Sequence, residues 1–448
     1  MKNILLILLI FNIHTGCSYQ PAGYNCDELF PKKLGELFGY MDSTGKWIIP
    51  PKFTNASPFE GGYAVVSKDS KVYLINCKGK KILSGFNDIL SNNINNRILV
   101  KTGEKKGFVD ITGKFITPVW DDVKPYSCGL SLVKQDNMYG FMDTTGNIAI
   151  PVEYTSANSF TPNGRAIVKK DYMYGVIDTK GNEIVPVSYR YIEYQHPCNL
   201  YLVKTNKGQS GFLTEDGGIE VPFLDYHIWD CPRGDVMLTD NGKLKFFMIN
   251  KQGNIISGEY DYIMTRVDYG DLIPAKRKPL AGFLDFSGKE IIPFIYNTAF
   301  PFYEDRAVVG KGGKYGYINP AGEEVIPPRF DRAEGYVNGI AKVQINSLYG
   351  LIDRDGKKLT DFIYSELEDF NEGLATVQKG EKWGFIDTSG QLVIPCRFDG
   401  VLPFEYGTAK VLLDNYEFYI NRKGERVTEK VKATIDEFTR IGIEYIND

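Results

Sequence analysis

Long hydrophobic runs are missing from this chain, and so are paired cysteines, histidine clusters and any excess of basic charge. The N-terminal apolar run from Ile4 to Ile13 is too short to cross a bilayer as a helix. Three histidines in 448 residues leave little material for His-centred catalysis, and none of the seven cysteines falls in a CxxC spacing, which removes the usual zinc and thioredoxin-like patterns. With 52 basic against 56 acidic side chains the formal charge is −4, so nothing invites nucleic acid or an anionic membrane surface. The histidines are accompanied by neither an HExxH helix nor a nucleophile elbow, and no cofactor motif stands out.

What is abundant points elsewhere. Aromatics make up 13% of the chain beside 46 Gly and 22 Pro, a balance that favours many short strands joined by tight turns. Residues 1–16 read as a signal peptide, with Lys2 ahead of the apolar run. His14-Thr15-Gly16-Cys17 resembles the lipobox of bacterial lipoproteins, although His14 departs from the usual aliphatic residue; the resemblance implies acylation of Cys17 and a membrane held through a lipid anchor. Without acylation the chain is simply secreted. Cys198 and Cys231 lie at nearly the same place in consecutive copies of the repeat described next, and export permits a disulfide between them.

One pattern dominates: a glycine, two apolar residues, Asp or Asn, two variable residues and a second glycine. Its first position falls at 39, 73, 107, 140, 175, 211, 247, 282, 316, 350, 384 and 418, steps of 33 to 36 residues. Tyr73, Phe247 and Phe418 replace the first glycine, five copies apart, which suggests either a duplicated block or five copies per structural turn. Each copy reads as three antiparallel strands. In Ala307 to Pro327 the strands are Ala307–Val309, Tyr315–Asn319 and Glu323–Ile326, and Asn319 opens a β-turn closed by Gly322. Proline, as at Pro327 and Pro395, is expected to stop the third strand.

The fold class predicted is all-β: about twelve three-stranded antiparallel repeats of about 34 residues over 36–426. A lead-in over 17–35 precedes them. A three-stranded unit buries too little alone, so neighbours must stack, as an elongated or superhelical array or, alternatively, by propeller-like closure. Val431, Ile435, Phe438 and Ile441 fall at helical spacing after Thr428, predicting a capping helix over 427–448. Lys382-Trp383-Gly384-Phe385-Ile386-Asp387-Thr388-Ser389-Gly390 with Val393-Ile394-Pro395 resembles the consensus of the WG, or KWG, repeat proteins of bacteria. Tyr stands for Trp in Tyr139-Gly140, Tyr174-Gly175, Tyr315-Gly316 and Tyr349-Gly350, and the resemblance covers about 36–426. It implies no catalytic residues.

Three sets of residues bear on function. His196 and His227, with Asp225 or Asp230, mark the degenerate region 190–240 as the one place for a hydrolytic site on an envelope polymer. The turn acids Asp42, Asp110, Asp143, Asp178, Asp285, Asp353 and Asp387 supply one carboxylate per repeat, too few for a calcium cage and suited to capping their own turns. The aromatics before the glycines, such as Trp383, suit a stacked core, while aromatic faces in an exported protein also suit sugar rings. The function expected is non-catalytic: a repeat scaffold at the cell envelope that binds a protein or glycan partner, with a passive spacer or an envelope-polymer enzyme as alternatives.

Overall fold

The computed structural model describes residues 26–91, 97–196, 198–233, 236–240, 245–264 and 270–432. The signal peptide, Cys17, and Ile435, Phe438 and Ile441 lie outside them. Twelve antiparallel sheets follow one another along the chain, eight with four strands and four with three among the described residues.

The eleventh sheet shows why the residues adopt this form. Its strands are Glu366–Leu367, Leu374–Lys379, Lys382–Asp387 and Leu392–Phe398, paired in that order. The first, two-residue strand was not expected from the sequence, because the segment carrying it lacks a period-2 pattern. The proline does not stop the last strand either. Phe385 pairs with Ile394 and Trp383 with Phe398, so Pro395, Cys396 and Arg397 bulge opposite the single residue Gly384. An edge strand with a bulge tolerates a proline that cannot donate. Gly384 is required by this bulge: a Cβ there would sit 2.5 Å from the Ile394 carbonyl oxygen and 2.7 Å from the Cys396 nitrogen. In the third, seventh, tenth and twelfth sheets there is no such bulge, and a hydroxyl takes over. Thr117, Ser257, Thr360 and Thr428 Oγ accept the amides of Phe108, Met248, Leu351 and Tyr419 at 2.8–3.1 Å.

The turn acids act locally. Asp387 Oδ1 accepts the amides of Ser389 and Gln391 and the Ser389 hydroxyl, while Gly390 takes a φ of +83°. Asp42, Asp110, Asp143 and Asp285 repeat this geometry.

Eleven apolar clusters fill the eleven junctions between consecutive sheets, one to each. At six of them the aromatic that follows the repeat's first glycine meets an aromatic just ahead of the next sheet's second strand. The pairs are Tyr40–Phe59, Phe108–Tyr126, Phe141–Phe160, Phe283–Phe302, Tyr317–Tyr336 and Phe385–Phe404, with ring centroids 4.6–5.1 Å apart. Such pairs act as staples between neighbours.

The twelfth sheet then returns to the first, and the array closes into a propeller-like ring. Phe30 stacks on Tyr406 at 3.7 Å, the Tyr419 hydroxyl donates to the Lys33 carbonyl at 2.9 Å, and Trp47 meets Tyr419 edge-on. This closing seam is polar where the other junctions are apolar. Lys32 stands at the register position held by Val377 in the eleventh sheet, and Lys410 and Glu417 stand where that sheet carries Thr376 and Trp383. Lys410 and Glu417 form an ion pair at 3.2 Å with side chains 3% and 2% exposed. Glu417 also accepts the Gly35 amide, and Lys32 Nζ donates to the Glu405 carbonyl at 2.9 Å while lying over the Tyr406 and Tyr419 rings.

Four expectations are thereby corrected. The elongated stack gives way to its alternative, closure, because the end sheets carry matching polar faces. One turn takes all twelve sheets, so the recurrence at Tyr73, Phe247 and Phe418 does not mark a five-repeat turn. The lead-in over 17–35 is not all irregular, since Phe30–Leu34 is the opening strand of the first sheet. The predicted helix over 427–448 is not seen where residues are described: Thr428 bonds the Tyr419 amide, and Val431–Lys432 forms a strand against Tyr416–Glu417. Neighbouring strands, rather than helical periodicity, satisfy that segment.

Candidate binding cleft between the fifth and sixth sheets

At the junction between the fifth and sixth sheets the strand ring of the staple is lost. Register places Val176 of the fifth sheet at the position of Phe141, and Tyr194 of the sixth, opposite Tyr201, at the position of Phe302, opposite Ala307. A cleft of about 350 Å³ opens there between residues 158–165 and the strand Tyr191–Gln195, a size suited to a small ligand. Tyr201 partly refills the floor; it stands where other sheets carry Ala166, Ala307, Ala341, Ala375 and Ala409, and is itself buried. Tyr194 packs against it at 5.1 Å between ring centroids and forms one wall, and the exposed Tyr191 forms the rim. The strand Tyr191–Gln195 is five residues long where the eleventh sheet has two, which is what carries three ring and carboxylate side chains into the opening.

Polar groups organise these rings. The Tyr194 hydroxyl donates to Glu215 Oε1 at 2.6 Å, and Asn163 Nδ2 donates to the same oxygen. The Tyr191 hydroxyl donates to Glu193 Oε2 at 2.8 Å. Burial pushes the Tyr191, Tyr194 and Tyr201 phenols up to about 12, with Glu193 adding to the effect at Tyr191 and Glu215 at Tyr194 and Tyr201. All three stay protonated, neutral donors near neutral pH. Arg165 and His196 complete the lining, His196 standing edge-on to Tyr194.

The residues singled out from sequence are dispersed. His196 lies in this cleft, but His227 sits at the next junction, with Nε2 2.5 Å from Lys204 Nζ and Nδ1 3.6 Å from an Asp240 carboxylate oxygen. Asp225 accepts from Gln209, and Asp230 lies on the strand His227–Arg233, so the four do not assemble as one constellation. Cys198 and Cys231 are joined by a disulfide, which stands at the sixth-to-seventh junction where Cys231 occupies the loop position of a staple ring. A second disulfide, Cys26–Cys77, fastens the segment ahead of the first sheet to the second. Among the described residues no three His, Cys, Asp or Glu side chains converge as a metal site.

A second opening, about 420 Å³, lies at the tenth-to-eleventh junction, where Leu351 faces Phe370 and one ring of the staple is missing. Its charges neutralise one another, Lys342 lying 3.0 Å from Glu334 and 3.3 Å from Asp369. The model of the WG containing repeat matches residues 38–71, 107–139, 139–174, 174–207, 282–315, 315–349, 349–383 and 383–416. The chain belongs to the WG containing repeat family. The copies that begin at Tyr73, Gly211, Phe247 and Phe418 fall outside those WG matches; three lack the first glycine and the fourth has Thr214 for the turn acid.

No curated protein matches the chain. Solved structures similar to it include a eukaryotic initiation factor, 11% identical over 74% of this chain and 94% of that one with a TM-score of 0.34. Kluyveromyces lactis Hsv2 is 10% identical over 51% and 91%, with a TM-score of 0.25. The extracellular domain of a putative one component system from B. thetaiotaomicron is 11% identical over 91% and 70%, with a TM-score of 0.22.

The cleft tyrosines were missed from sequence because aromatics recur everywhere in the WG repeat. Their signal becomes visible only when copies are superposed by register, where Val176 replaces a ring and Tyr201 replaces an alanine.

Proposed function

We propose that this WG repeat ring is a non-catalytic binding module of the bacterial cell envelope, exported by residues 1–16 and held through an acylated Cys17. The partner seats at the cleft between the fifth and sixth sheets. The observation that carries this reading is the cleft itself, where the lengthened strand Tyr191–Gln195 and the alanine position taken by Tyr201 line an opening with tyrosines and hydrogen-bonding groups. Sites that depart from an otherwise uniform repeat are where function is expected. The two disulfides are compatible with an exported chain.

The test is affinity capture from solubilised envelopes with the chain from Cys17 onward as bait, beside the same bait carrying Tyr194→Ala. A protein or glycan retained by the first bait and lost from the second supports the module. Identical recovery from both baits, or none from either, leaves a passive spacer instead. Acylation is tested separately: Cys17→Ser should release the chain from the membrane fraction.

A further inference from the structure

We infer that the cleft between the fifth and sixth sheets is a saccharide site, receiving one or two uncharged sugar rings against Tyr194 and Tyr191. The inference rests on the binding reading above and names the partner's chemistry. Three ligand classes can be compared with the lining. A phosphate or other anion would meet the Glu193 carboxylate on the lining, with that of Glu215 close by at the Tyr194 hydroxyl. A purely apolar ligand would strip water from Asn158, Asn163, Arg165 and His196 without replacing those hydrogen bonds, a penalty for each polar group left unpaired. A sugar ring satisfies both halves of the site at once. Its C–H face lies on a tyrosine ring, and its hydroxyls, each donor and acceptor, meet an arrangement that alternates the two.

That alternation is specific. Glu215 Oε1 accepts from both Tyr194 and Asn163 and holds them in place, and Glu193 on the lining accepts at Oε2 from Tyr191 and Gln195. The tyrosines are also prepositioned: Tyr194 is fixed by the buried Tyr201 on one side and by Glu215 at its hydroxyl, so little side-chain freedom is lost on binding. The second opening, between the tenth and eleventh sheets, lacks this design because its charges already pair with one another.

The experiment is isothermal titration of the chain from Cys17 onward with four neutral disaccharides, maltose, cellobiose, lactose and N,N′-diacetylchitobiose, with glucose 6-phosphate as the anionic comparison. At least one disaccharide should bind saturably and more tightly than glucose 6-phosphate. Tyr194→Ala should weaken it at least tenfold, Tyr194→Phe severalfold, and Tyr172→Ala, at an 85% exposed tyrosine outside the cleft, not at all. Circular dichroism of each variant separates loss of the site from loss of the fold, and Tyr194→Phe, which keeps the ring, carries the result if Tyr194→Ala does not fold. Absence of saturable heat with all four disaccharides, or binding that Tyr194→Phe and Tyr191→Ala leave unchanged, overturns the inference. If capture from envelopes still depends on Tyr194 and the captured species is a protein free of glycan, the binding reading stands and the saccharide assignment alone falls.

Discussion

Breaking the Lys410–Glu417 pair should open the ring without unfolding it. The two charges lie 3.2 Å apart with side chains 3% and 2% exposed, an attraction of about 5 kcal/mol at an effective dielectric of about 20. Lys410→Met leaves Glu417 charged among the seam's rings and backbone, and removing one partner of a buried pair costs about 3–5 kcal/mol. In a repeat array each junction contributes almost independently. The cost therefore falls on the seam, while the eleven apolar junctions keep their contacts. Hydrogen exchange should accelerate in Phe30–Met41 and Thr408–Asn421, whose sheets face each other there, and stay slow in the fifth and eighth sheets. Small-angle scattering should show a larger maximum dimension. Adding Glu417→Gln to Lys410→Met removes the stranded charge but retains an acceptor for the Gly35 amide, so the double variant should recover closure. The reasoning fails if exchange rises equally in all twelve sheets, or if the double variant loses the sum of the two single effects.

Other expectations can be checked with simpler measurements. Gly384→Ala forces a Cβ to 2.5 Å from the Ile394 carbonyl and should lower stability by about 1–3 kcal/mol in urea; Gly350→Ala, which meets the Phe362 side chain at 3.0 Å, should cost less because that ring can shift. Cys231→Ala removes a crosslink spanning 33 residues and should cost about 3–4 kcal/mol, read as a fall in urea midpoint under oxidising conditions. The pH dependence follows from the turn acids. The Ser389 hydroxyl and the amides of its own turn hold the Asp387 carboxyl below its usual range, and Thr112 and Thr145 do the same for Asp110 and Asp143. Folded values below the unfolded value of about 3.9 mean stability that is complete above that pH and lost as pH falls through the depressed values. Asp387→Asn should flatten the acid limb of a stability profile, and an unchanged slope below pH 4 would remove the turn acids from the account.

Much of the architecture was legible because the repeat encodes it locally. The glycine at 384 and the Asp387–Gly390 turn each follow from one backbone requirement, stated a dozen times with small changes. The fourth strand was not legible, since Glu366–Leu367 is two residues long and is recognised only by its partner Gln378 and Val377. Closure was also hidden. Lys32 reads as an ordinary surface lysine until it is seen at a valine's register position, next to a sheet nearly 400 residues later. The cleft lay within the degenerate region flagged from sequence, yet its carrier residues were tyrosines and not histidines. What distinguishes them is the lengthened strand Tyr191–Gln195 and the alanine position taken by Tyr201, which no single repeat displays.

The polar seam also decides what happens between chains. An array whose two end faces were apolar like its internal junctions could join end to end with its neighbours as readily as with itself, producing an open filament. Here the faces that meet carry Lys32, Lys410 and Glu417, charged groups that favour water over an unmatched apolar surface. Only a face offering the matching backbone amide of Gly35 and carbonyls of Lys33 and Glu405 compensates their dehydration. A chain's own other end meets that demand at the high local concentration set by its covalent continuity, and the size of the ring is thereby fixed at twelve sheets from a single molecule.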